Sequence, residues 1–367
     1  TRVEECCEIL DSMRIPITAS DRKEGKYPYY GANGIQDYVN DYIFDDELVL
    51  LAEDGGNFGS KEKPIAYRVS GKCWVNNHAH VLKPKEEIDV DYLCYSLMFY
   101  KVDGMINGAT RKKLTQTAMK KMKIPLRNIV EQKKIVQQLN KIIEIREKAK
   151  KELNLLDNLI QARFVEMFGD PITNSKLLPI EKIEERYFLK AGITTKAEDI
   201  HDYLKDKYEI PCYGGNGIRG YVENLSYEGC YPIIGRQGAL CGNVQYATGK
   251  FHATEHAVLV STLKNDNTMW VYYMLKLMDL YRYHTGAAQP GLAVKKLNTI
   301  DVIVADINLQ NQFAAFVHQI NKSKFVIHKF LYCTTHNTKS IIKPRPNTKE
   351  SGKIRGRETT CRRILTF

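Results

Sequence analysis

The sequence lacks the features that would direct it into or across a membrane. Its 367 residues contain no run of 18 apolar residues and no charged start followed by an apolar stretch, so we expect a cytoplasmic protein without a membrane partner. It also lacks the C-x-x-C spacing of zinc and redox sites. The nine Cys are scattered along the chain, with only Cys6 and Cys7 adjacent, and reduced thiols are their expected state.

Signatures of catalysis are missing as well. The chain has no G-x-x-x-x-G-K-[ST] phosphate loop, no G-x-S-x-G, no H-E-x-x-H and no Asp/Asn-Pro-Pro-Tyr/Phe of base methylation. Residues 55–61 have the glycines of a phosphate loop without its Lys-Ser/Thr order, and the Asp-Pro at 170–171 is better explained as a helix stop. We therefore expect neither catalytic nor metal-binding residues.

Positive charge is concentrated at one end of the chain. The net charge is +11, and residues 329–367 hold ten Lys or Arg against two Glu. Because the rest of the chain is close to neutral, bulk charge is no argument for nucleic-acid binding, which must be judged from local features. Residues 326–367 are basic, contain Thr and Pro, and are predicted to be disordered.

A long amphipathic segment at residues 128–168 divides the chain. Its apolar residues recur at alternating spacings of four and three, which is the seam of a helix that pairs with another helix. Glycine at 169 and proline at 171 end it. The predicted seam residues of this helix and of a second, distal helix are Ile135, Leu139, Ile142, Leu153, Leu156, Ile160, Phe313, Val317 and Ile320.

The sequences on either side of this segment repeat each other. The stretch YGANGI at residues 30–35 returns as YGGNGI at 213–218, and HA at 78–79 returns at 256–257. GAT at 108–110 returns as GAA at 286–288, and the helix start EQKKI at 131–135 matches LQNQF at 309–313. Since the landmarks keep their order, the chain consists of two copies of one unit.

Each copy begins with short β-type runs and Gly/Asn turns, continues with a short helix and ends in a coiled-coil helix. We predict an α+β fold in which two repeated mixed α/β domains, residues 1–127 and 172–306, are separated by long coiled-coil helices at 128–171 and 307–325 in a pseudo-two-fold arrangement. The distal helix is predicted to end near Phe325, because its seam residues stop there and Pro and Gly follow. That would leave the seam at 153–160 without a mate. A shifted reading frame after about Val326 is one explanation.

The Gly-rich turns are the best candidates for binding. A Gly-Asn-Gly turn lets the backbone approach a partner, and Asn offers a donor and an acceptor suited to base edges, although a plain turn is the alternative. The basic run at 111–113 suits phosphate contact or is a solvated charge run. His78 and His256 recur at equivalent places and are more simply structural. Each follows a strand-like run, and both are kept among the candidates.

The loops differ between the copies. Where the first copy has Glu53 and Asp54, the second has Gly235, Arg236 and Gln237, and carboxylates, Arg and Gln suit different bases. The candidate DNA-binding residues are Gly31, Asn33, Gly34, Asp54, Gly55, Asn77, His78, Thr110, Arg111, Lys112, Lys113, Gly214, Gly215, Asn216, Arg236, Gln237, Gly238, Thr254, His256, Gln289, Lys295 and Lys296.

Together these residues resemble the specificity subunit of Type I restriction–modification systems over about residues 1–325. The resemblance is carried by the duplicated Y-G-x-N-G-I turns, the EQKKI helix start and FVEMFGDP at 164–171. It implies two target recognition domains, each of which reads half of a bipartite sequence in double-stranded DNA. It also implies two antiparallel helices that act as a ruler and dock two modification (methyltransferase) subunits.

The same resemblance implies further partners, namely restriction (endonuclease/translocase) subunits. S-adenosylmethionine, ATP and magnesium would then be used by the partner subunits, with no cofactor bound by this chain. Three alternatives remain open: an assembly-defective form that lacks the distal helix, a coiled-coil adaptor without a DNA role, and a nuclease or methylase that acts alone. Salt-sensitive binding to duplex DNA separates DNA recognition from the adaptor.

Overall fold

A computed structural model describes residues 1–108, 111–204, 207–238, 240–286 and 290–341, with backbone only for 335–341. The chain folds as two compact units. The first contains Thr1–Ala149 and the described residues from Phe330 onward, and the second contains Lys150–Lys329. Within the described ranges, no helix is both long and apolar enough to cross a membrane.

The first unit is built on a six-stranded sheet. Its strands are β1 Cys7–Ile9, β2 Glu24–Gly31, β3 Gly34–Val39, β4 Phe44–Ala52, β5 Ala66–Val75 and β6 Ala79–Pro84, with a small pair β7 Ile106–Asn107 and β8 Lys113–Leu114. The helices are α1 Val3–Cys6, α2 Val90–Leu97, α3 Gln116–Lys120 and the long α4 Ile129–Phe168. The strand order is β1-β6-β4-β5-β2-β3, antiparallel except where β2 meets β5.

Strand β4 is at the centre of this sheet because both of its faces are covered. Val49 and Leu51 point to a core that includes α2 and the start of α4, whereas Leu48 and Leu50 point to a second core on the opposite face. All four side chains are fully buried. Successive side chains of a strand point to opposite faces of the sheet. A strand that is covered on both faces therefore has an unbroken run of apolar residues, as β4 has from Leu48 to Ala52.

The second unit repeats this design. Its strands are β9 Ile180–Lys182, β10 Tyr187–Ala191, β11 Ile210–Gly214, β12 Gly217–Val222, β13 Tyr227–Gly235, β14 Val244–Ala253, β15 Ala257–Thr262 and β16 Asp301–Ile303. Its helices are α5 Ile183–Arg186, α6 Thr268–Leu277, α7 Val294–Asn298 and α8 Ile307–Ile341. The sheet order β10-β15-β13-β14-β11-β12 matches the first strand for strand, with β11 and β14 as its parallel pair. The predicted repetition of one α+β unit is confirmed.

A buried glutamine attaches each long helix to its globule. Gln132 is fully buried in the first turn of α4, where its Nε2 donates to the carbonyls of Glu87 and Arg127 at 2.8 Å each. Its Oε1 accepts the backbone N–H of Asp89, the residue that caps α2, at 2.8 Å. Gln310 does the same in α8, where it accepts from the backbone N–H of the α6 cap at 2.8 Å.

Some residues of the predicted seam lie in the core of the first unit, and others lie in the core of the second. Ile135 and Leu139 are buried in the core of the first unit, and Ile160 is buried in the core of the second with Phe313 and Val317. Ile320 packs on the second core as a partly buried neighbour, while Ile142, Leu153 and Leu156 are half-buried. The long central helix is confirmed. Its periodic apolar residues pack in the cores of the two units as well as against the other long helix.

The predicted end of the distal helix was wrong. Helix α8 continues past Phe325 to Ile341, because the Lys, His, Thr and Ser residues that replace the apolar seam are tolerated in a helix and the first proline comes only at position 344. The Lys324 ammonium lies 2.6 Å from the Asp157 carboxylate of α4, so α4 has a neighbour at this level. Ile160 is buried with Phe313 and Val317 of α8, so the expectation that the seam at 153–160 has no mate is wrong for Ile160. The predicted tail beyond residue 341 lies outside the described residues.

Candidate nucleic-acid interface

Four predicted loops meet at one edge of the first sheet. The Asn33 side chain donates its Nδ2 to the Gly55 carbonyl at 3.0 Å. The backbone N–H of Asp54 reaches the carbonyl of His78 at 3.3 Å, and that of Gly55 reaches the carbonyl of Lys112 at 3.2 Å. We call this assembly of residues 31–34, 53–55, 77–78 and 111–113 the first loop cluster.

The equivalent loops assemble in the second unit. The Arg236 N–H donates to the His256 carbonyl at 3.1 Å, and the Gly238 N–H donates to the Pro290 carbonyl at 2.9 Å. Asn216 accepts the Nδ2 of Asn243 on its Oδ1 at 2.5 Å. These residues, 214–217, 236–238, 256 and 290–291, form the second loop cluster. Most of the candidate loop residues of each copy thus lie together at one edge of its sheet.

Glycine is required where the second cluster is tightest. A Cβ on Gly235 would lie 2.0 Å from the Gly215 carbonyl oxygen, and a Cβ on Gly215 would lie 3.3 Å from the Gly235 Cα. The Gly-Asn-Gly turn thus packs its backbone directly on the end of β13. In this cluster the small residues hold the turn against the sheet.

The acidic residues of the first cluster are already paired. Asp54 places Oδ1 2.6 Å from the Nε of Arg111 and Oδ2 3.5 Å from the Nδ1 of His78. Glu53 places Oε1 3.2 Å from Lys113 and Oε2 2.6 Å from Arg14. A carboxylate occupied in this way is a poor acceptor for cytosine, and the direct reading of bases by this pair stays a prediction.

Beneath this cluster lies a fully buried histidine. The Nδ1 of His80 is 2.7 Å from the Asp11 carboxylate and its Nε2 is 2.9 Å from the Leu114 carbonyl, so both ring nitrogens face oxygen atoms. Ligand atoms of Asp11, Glu53 and His80 lie within 4.8 Å of one another. Arg14 is 3.6 Å from Asp11 and 2.6 Å from Glu53, so its guanidinium joins these carboxylates in an ion-pair network.

The network lowers the pKa of both carboxyl groups. Burial raises the pKa of Asp11, but hydrogen bonds from His80 and Gln116 and the charge of His80 outweigh it, and the net pKa is below the usual value. Burial also raises the pKa of Glu53, and Arg14, His80 and Lys113 reverse it. A group whose pKa is lowered by folding stabilises the folded state at pH values above its unfolded pKa. This stabilisation is lost as the pH falls through the folded-state pKa.

We therefore expect the first unit to lose stability in acid, below about pH 4. In Asp11→Asn, stability at pH 7 should fall by about 1–3 kcal/mol, because an amide replaces a buried acceptor of charged groups, and the further loss between about pH 5 and pH 3 should be smaller than in the parent. The measurement is the urea midpoint at each pH from Trp74 fluorescence in a Trp270→Phe background, since Trp74 lies in the first unit.

Asp103→Asn is the matched control for this titration, because Asp103 is exposed and forms no ion pair with the residues that the structure describes. It should leave the pH profile unchanged. An Asp11→Asn profile parallel to that of the parent would show that this carboxyl does not titrate on unfolding. Within its described residues, the second unit has no equivalent network, because Val258 in β15 stands where His80 stands in β6.

The remaining candidates are placed less favourably. Thr254 is fully buried, so it supports a loop and does not reach the surface. Lys295 and Lys296 lie on α7, and Lys296 lines a separate cavity with Arg282. Asn77 is exposed beside His78. Thr110 and Gln289 lie outside the described residues.

Sequence reasoning missed several residues at this edge. Asp11, Arg14 and His80 have no counterparts in the second copy, so comparison of the repeats gave no signal for them. Ile35 and Ile218 did carry a signal, because each follows an Asn-Gly turn, and both are about half exposed at 48% and 46%. Ile35 borders an open cavity of about 610 Å³, which is also lined by Tyr30, Asn33, Gly34, Asn57, Lys63, Pro64 and Tyr67.

Comparison with known proteins identifies the family to which this chain belongs. A family model described as the Type I restriction modification DNA specificity domain matches residues 1–155 and 189–331, which is most of the chain. The chain is similar to the Type I restriction enzyme EcoprrI specificity subunit of Escherichia coli, with 46% identity over 133 residues, 36% of this chain and 33% of the relative. A putative type I restriction enzyme specificity subunit of Haemophilus influenzae is 37% identical over 138 residues, 38% of this chain and 35% of the relative. These matches thus span about a third of each relative.

Solved structures share the fold. A Type I restriction–modification system S subunit from M. genitalium superposes with a TM-score of 0.59 at 16% identity, covering 95% of this chain and 96% of that one. A chain from a structural study of complex assembly and conformational transition of the type I R-M system gives 0.56 at 12% identity, covering 93% and 95%. At these identities the likeness concerns architecture alone.

Proposed function

Because the chain belongs to the family of Type I restriction modification DNA specificity domains, we propose that it is the DNA-recognising subunit of such a system. Each of its two units reads one half of a bipartite target. The single observation that carries this is the assembly of the same loops twice, on the same strand order, with different polar side chains at equivalent positions. Matched scaffolds with divergent loops suit two different half-sites.

The loops contain the chemistry that base and phosphate recognition needs. Lys112 is exposed in the first cluster and suits contact with a phosphate. Arg236 in the second cluster is half-buried, and its Nε is buried without a hydrogen-bond partner among the residues that the structure describes. We assign its outer guanidinium nitrogens to a base edge or a phosphate. Gln237 beside it is exposed and offers both a donor and an acceptor.

The long helices are the proposed scaffold for partners. Exposed apolar side chains on α4 are Ile129, Val130, Ile143, Ile145, Leu155, Leu159 and Val165. Such residues along a helix favour association with other chains, and we assign them to modification (methyltransferase) subunits, two in a complex, with restriction subunits joining the assembly. S-adenosylmethionine, ATP and magnesium are used by those partners in this proposal, and the present chain contributes recognition and scaffolding without catalysis.

The rival functions predict different behaviour. A coiled-coil adaptor would not bind duplex DNA with the steep salt dependence of phosphate contacts. An enzyme acting alone would transfer methyl groups without added subunits. The assembly-defective alternative rested on an early end of the distal helix, and α8 continues through Ile341, so the argument for that alternative is removed.

The test is single-molecule methylation sequencing of DNA from cells that express the chain with its modification subunit. The parent should methylate adenine in both halves of a split motif. Arg236→Ala should change or relax one half of that motif and leave the other intact, since each discriminating contact is worth about 1–3 kcal/mol. Lys296→Ala removes an exposed cation outside the loop contacts and should leave the motif unchanged. An Arg236→Ala motif identical to the parent's would refute the assignment of this loop to base reading.

A further inference from the structure

The first loop cluster holds an arginine in a fixed position. Arg111 places its Nε 2.6 Å from the Oδ1 of Asp54, and its Nη2 is 3.5 Å from the Nδ1 of His78. The Asp54 side chain is 20% exposed and the Arg111 side chain is 58% exposed. The carboxylate is therefore largely sheltered by the loop, while most of the guanidinium faces solvent.

The backbone around this pair is fixed by the neighbouring strand. The Gly55 N–H donates to the Lys112 carbonyl at 3.2 Å, and the Leu114 N–H donates to the Glu53 carbonyl at 2.7 Å. Gly55 has a φ of +68°, and a Cβ there would lie 3.3 Å from the Arg111 Nε and 3.5 Å from its Nη2. The guanidinium thus lies across a glycine that leaves room for it.

We infer that Arg111 reads a guanine in one half-site and that Asp54 is the positioning residue that orients it; this inference rests on the proposed function. Guanine presents two acceptors, O6 and N7, in the major groove, and the planar guanidinium can donate to both at once. Nε faces Asp54 and one Nη2 hydrogen faces His78, so the Nη1 hydrogens and the other Nη2 hydrogen remain for the base. Adenine offers a donor in place of one acceptor and is rejected.

Contact with a phosphate explains the pairing of Arg111 with Asp54 less well. A cation that binds phosphate gains nothing from an adjacent carboxylate, which weakens its attraction for the anion. The three cations of the run 111–113 also differ in their surroundings: Lys113 is paired with Glu53, Arg111 with Asp54, and Lys112 has no ion pair in the described part of the chain. Lys112 is thus the phosphate ligand of the run.

The second unit differs at the equivalent place. The Leu292 N–H donates to the Arg236 carbonyl at 2.8 Å, as Leu114 donates to Glu53, so Arg236 and Gln237 occupy the places of Glu53 and Asp54. A glutamine in the place of Asp54 cannot hold an arginine by charge. The arrangement of an arginine oriented by a carboxylate is therefore specific to the first unit.

The test is selection of duplexes from a randomised library by the full chain, followed by binding to the selected duplex. Arg111→Ala should lose the preference for one guanine by about tenfold to a hundredfold, with the other half of the motif unchanged. Replacing that guanine by 7-deazaguanine removes N7. This substitution should weaken binding of the parent and have little effect on Arg111→Ala.

Variants of Asp54 test whether this residue orients the Arg111 guanidinium. Asp54→Ala should lose the same guanine preference although Arg111 is present, while its affinity for unrelated duplexes stays the same or rises because a negative charge is gone. Asp54→Asn keeps one oxygen as an acceptor and should recover part of the preference. Lys112→Ala should weaken binding to all sequences alike and reduce the salt slope by about 1.

Each outcome bears on one claim. A parent chain that selects a split motif, with Arg111→Ala keeping every guanine preference, overturns the guanine contact and leaves the proposed function intact. Loss of affinity for all sequences in Asp54→Ala, without loss of discrimination, overturns the positioning role. A folded parent chain that selects no sequence would overturn the proposed function and this inference with it.

Discussion

Replacing Phe313 with alanine should destabilise the second unit by about 3–5 kcal/mol, the range found for buried Phe→Ala substitutions. Phe313 is fully buried in α8. Its ring centroid lies 5.3 Å from that of Phe164 and 5.8 Å from that of Phe168, both on α4, and 5.5 Å from that of Tyr273 on α6, each in an edge-on arrangement. The substitution therefore opens a cavity where three helices meet.

The measurement is hydrogen exchange by mass spectrometry, which reports each unit separately. Peptides from β13 and β15 should exchange faster in Phe313→Ala, and peptides from β4 and β6 should keep their rates. Phe325→Ala makes the same substitution on the same helix at a residue that is 39% exposed, and should cost well under about 1 kcal/mol. Equal effects of the two variants would contradict the assignment of Phe313 to this core.

The second large effect is expected at a buried ion pair. Asp266 is bonded to Arg186 through two hydrogen bonds, Nε to Oδ2 at 2.5 Å and Nη2 to Oδ1 at 2.6 Å, and its Oδ1 also accepts from the buried Gln310 at 2.8 Å. The side chains of Arg186 and Asp266 are 8% and 2% exposed. Burial lowers the pKa of Arg186, but Asp266 outweighs it and raises the net pKa above the usual value.

Asp266→Ala should therefore cost about 3–5 kcal/mol, because the guanidinium stays charged and is left buried without its partner. Hydrogen exchange in β10 and at the start of α8 would measure it. Glu181→Ala is the control, since Glu181 also contacts Arg186, at 3.4 Å, but is 28% exposed; it should cost no more than about 1 kcal/mol. A loss in Asp266→Ala no larger than that of the control would show that solvent reaches Arg186 readily.

The repeat explains why so much of the fold was predictable. Two copies of one pattern require two copies of one strand order, and the central helix was placed within a residue of its observed bounds, Ile129–Phe168, by its apolar period and by Gly169. Gly169 has a φ of +80°, the left-handed conformation that ends helices. The end of α8 was not predictable from the seam, because loss of an apolar period does not itself break a helix.

The loops were predictable for a related reason, and their ion pairs were not. Glycine and asparagine recur at the turns, and the strand order brings those turns to one edge. The partners that hold the charged side chains come from segments distant in sequence, as when Arg14 reaches Glu53 and His80 reaches Asp11. Only the folded chain shows which charges are already satisfied and which remain for a ligand.

The buried glutamine at the start of each long helix has a consequence for inheritance. Gln132 binds backbone groups of Glu87, Arg127 and Asp89, and backbone groups are the same whatever side chains the surrounding gene segment encodes. Recombination that exchanges the DNA encoding one globule, with its crossover at this helix start, would keep the attachment intact. An exchanged globule would then need no compensating change at Gln132, although its core must still fit Ile135 and Leu139.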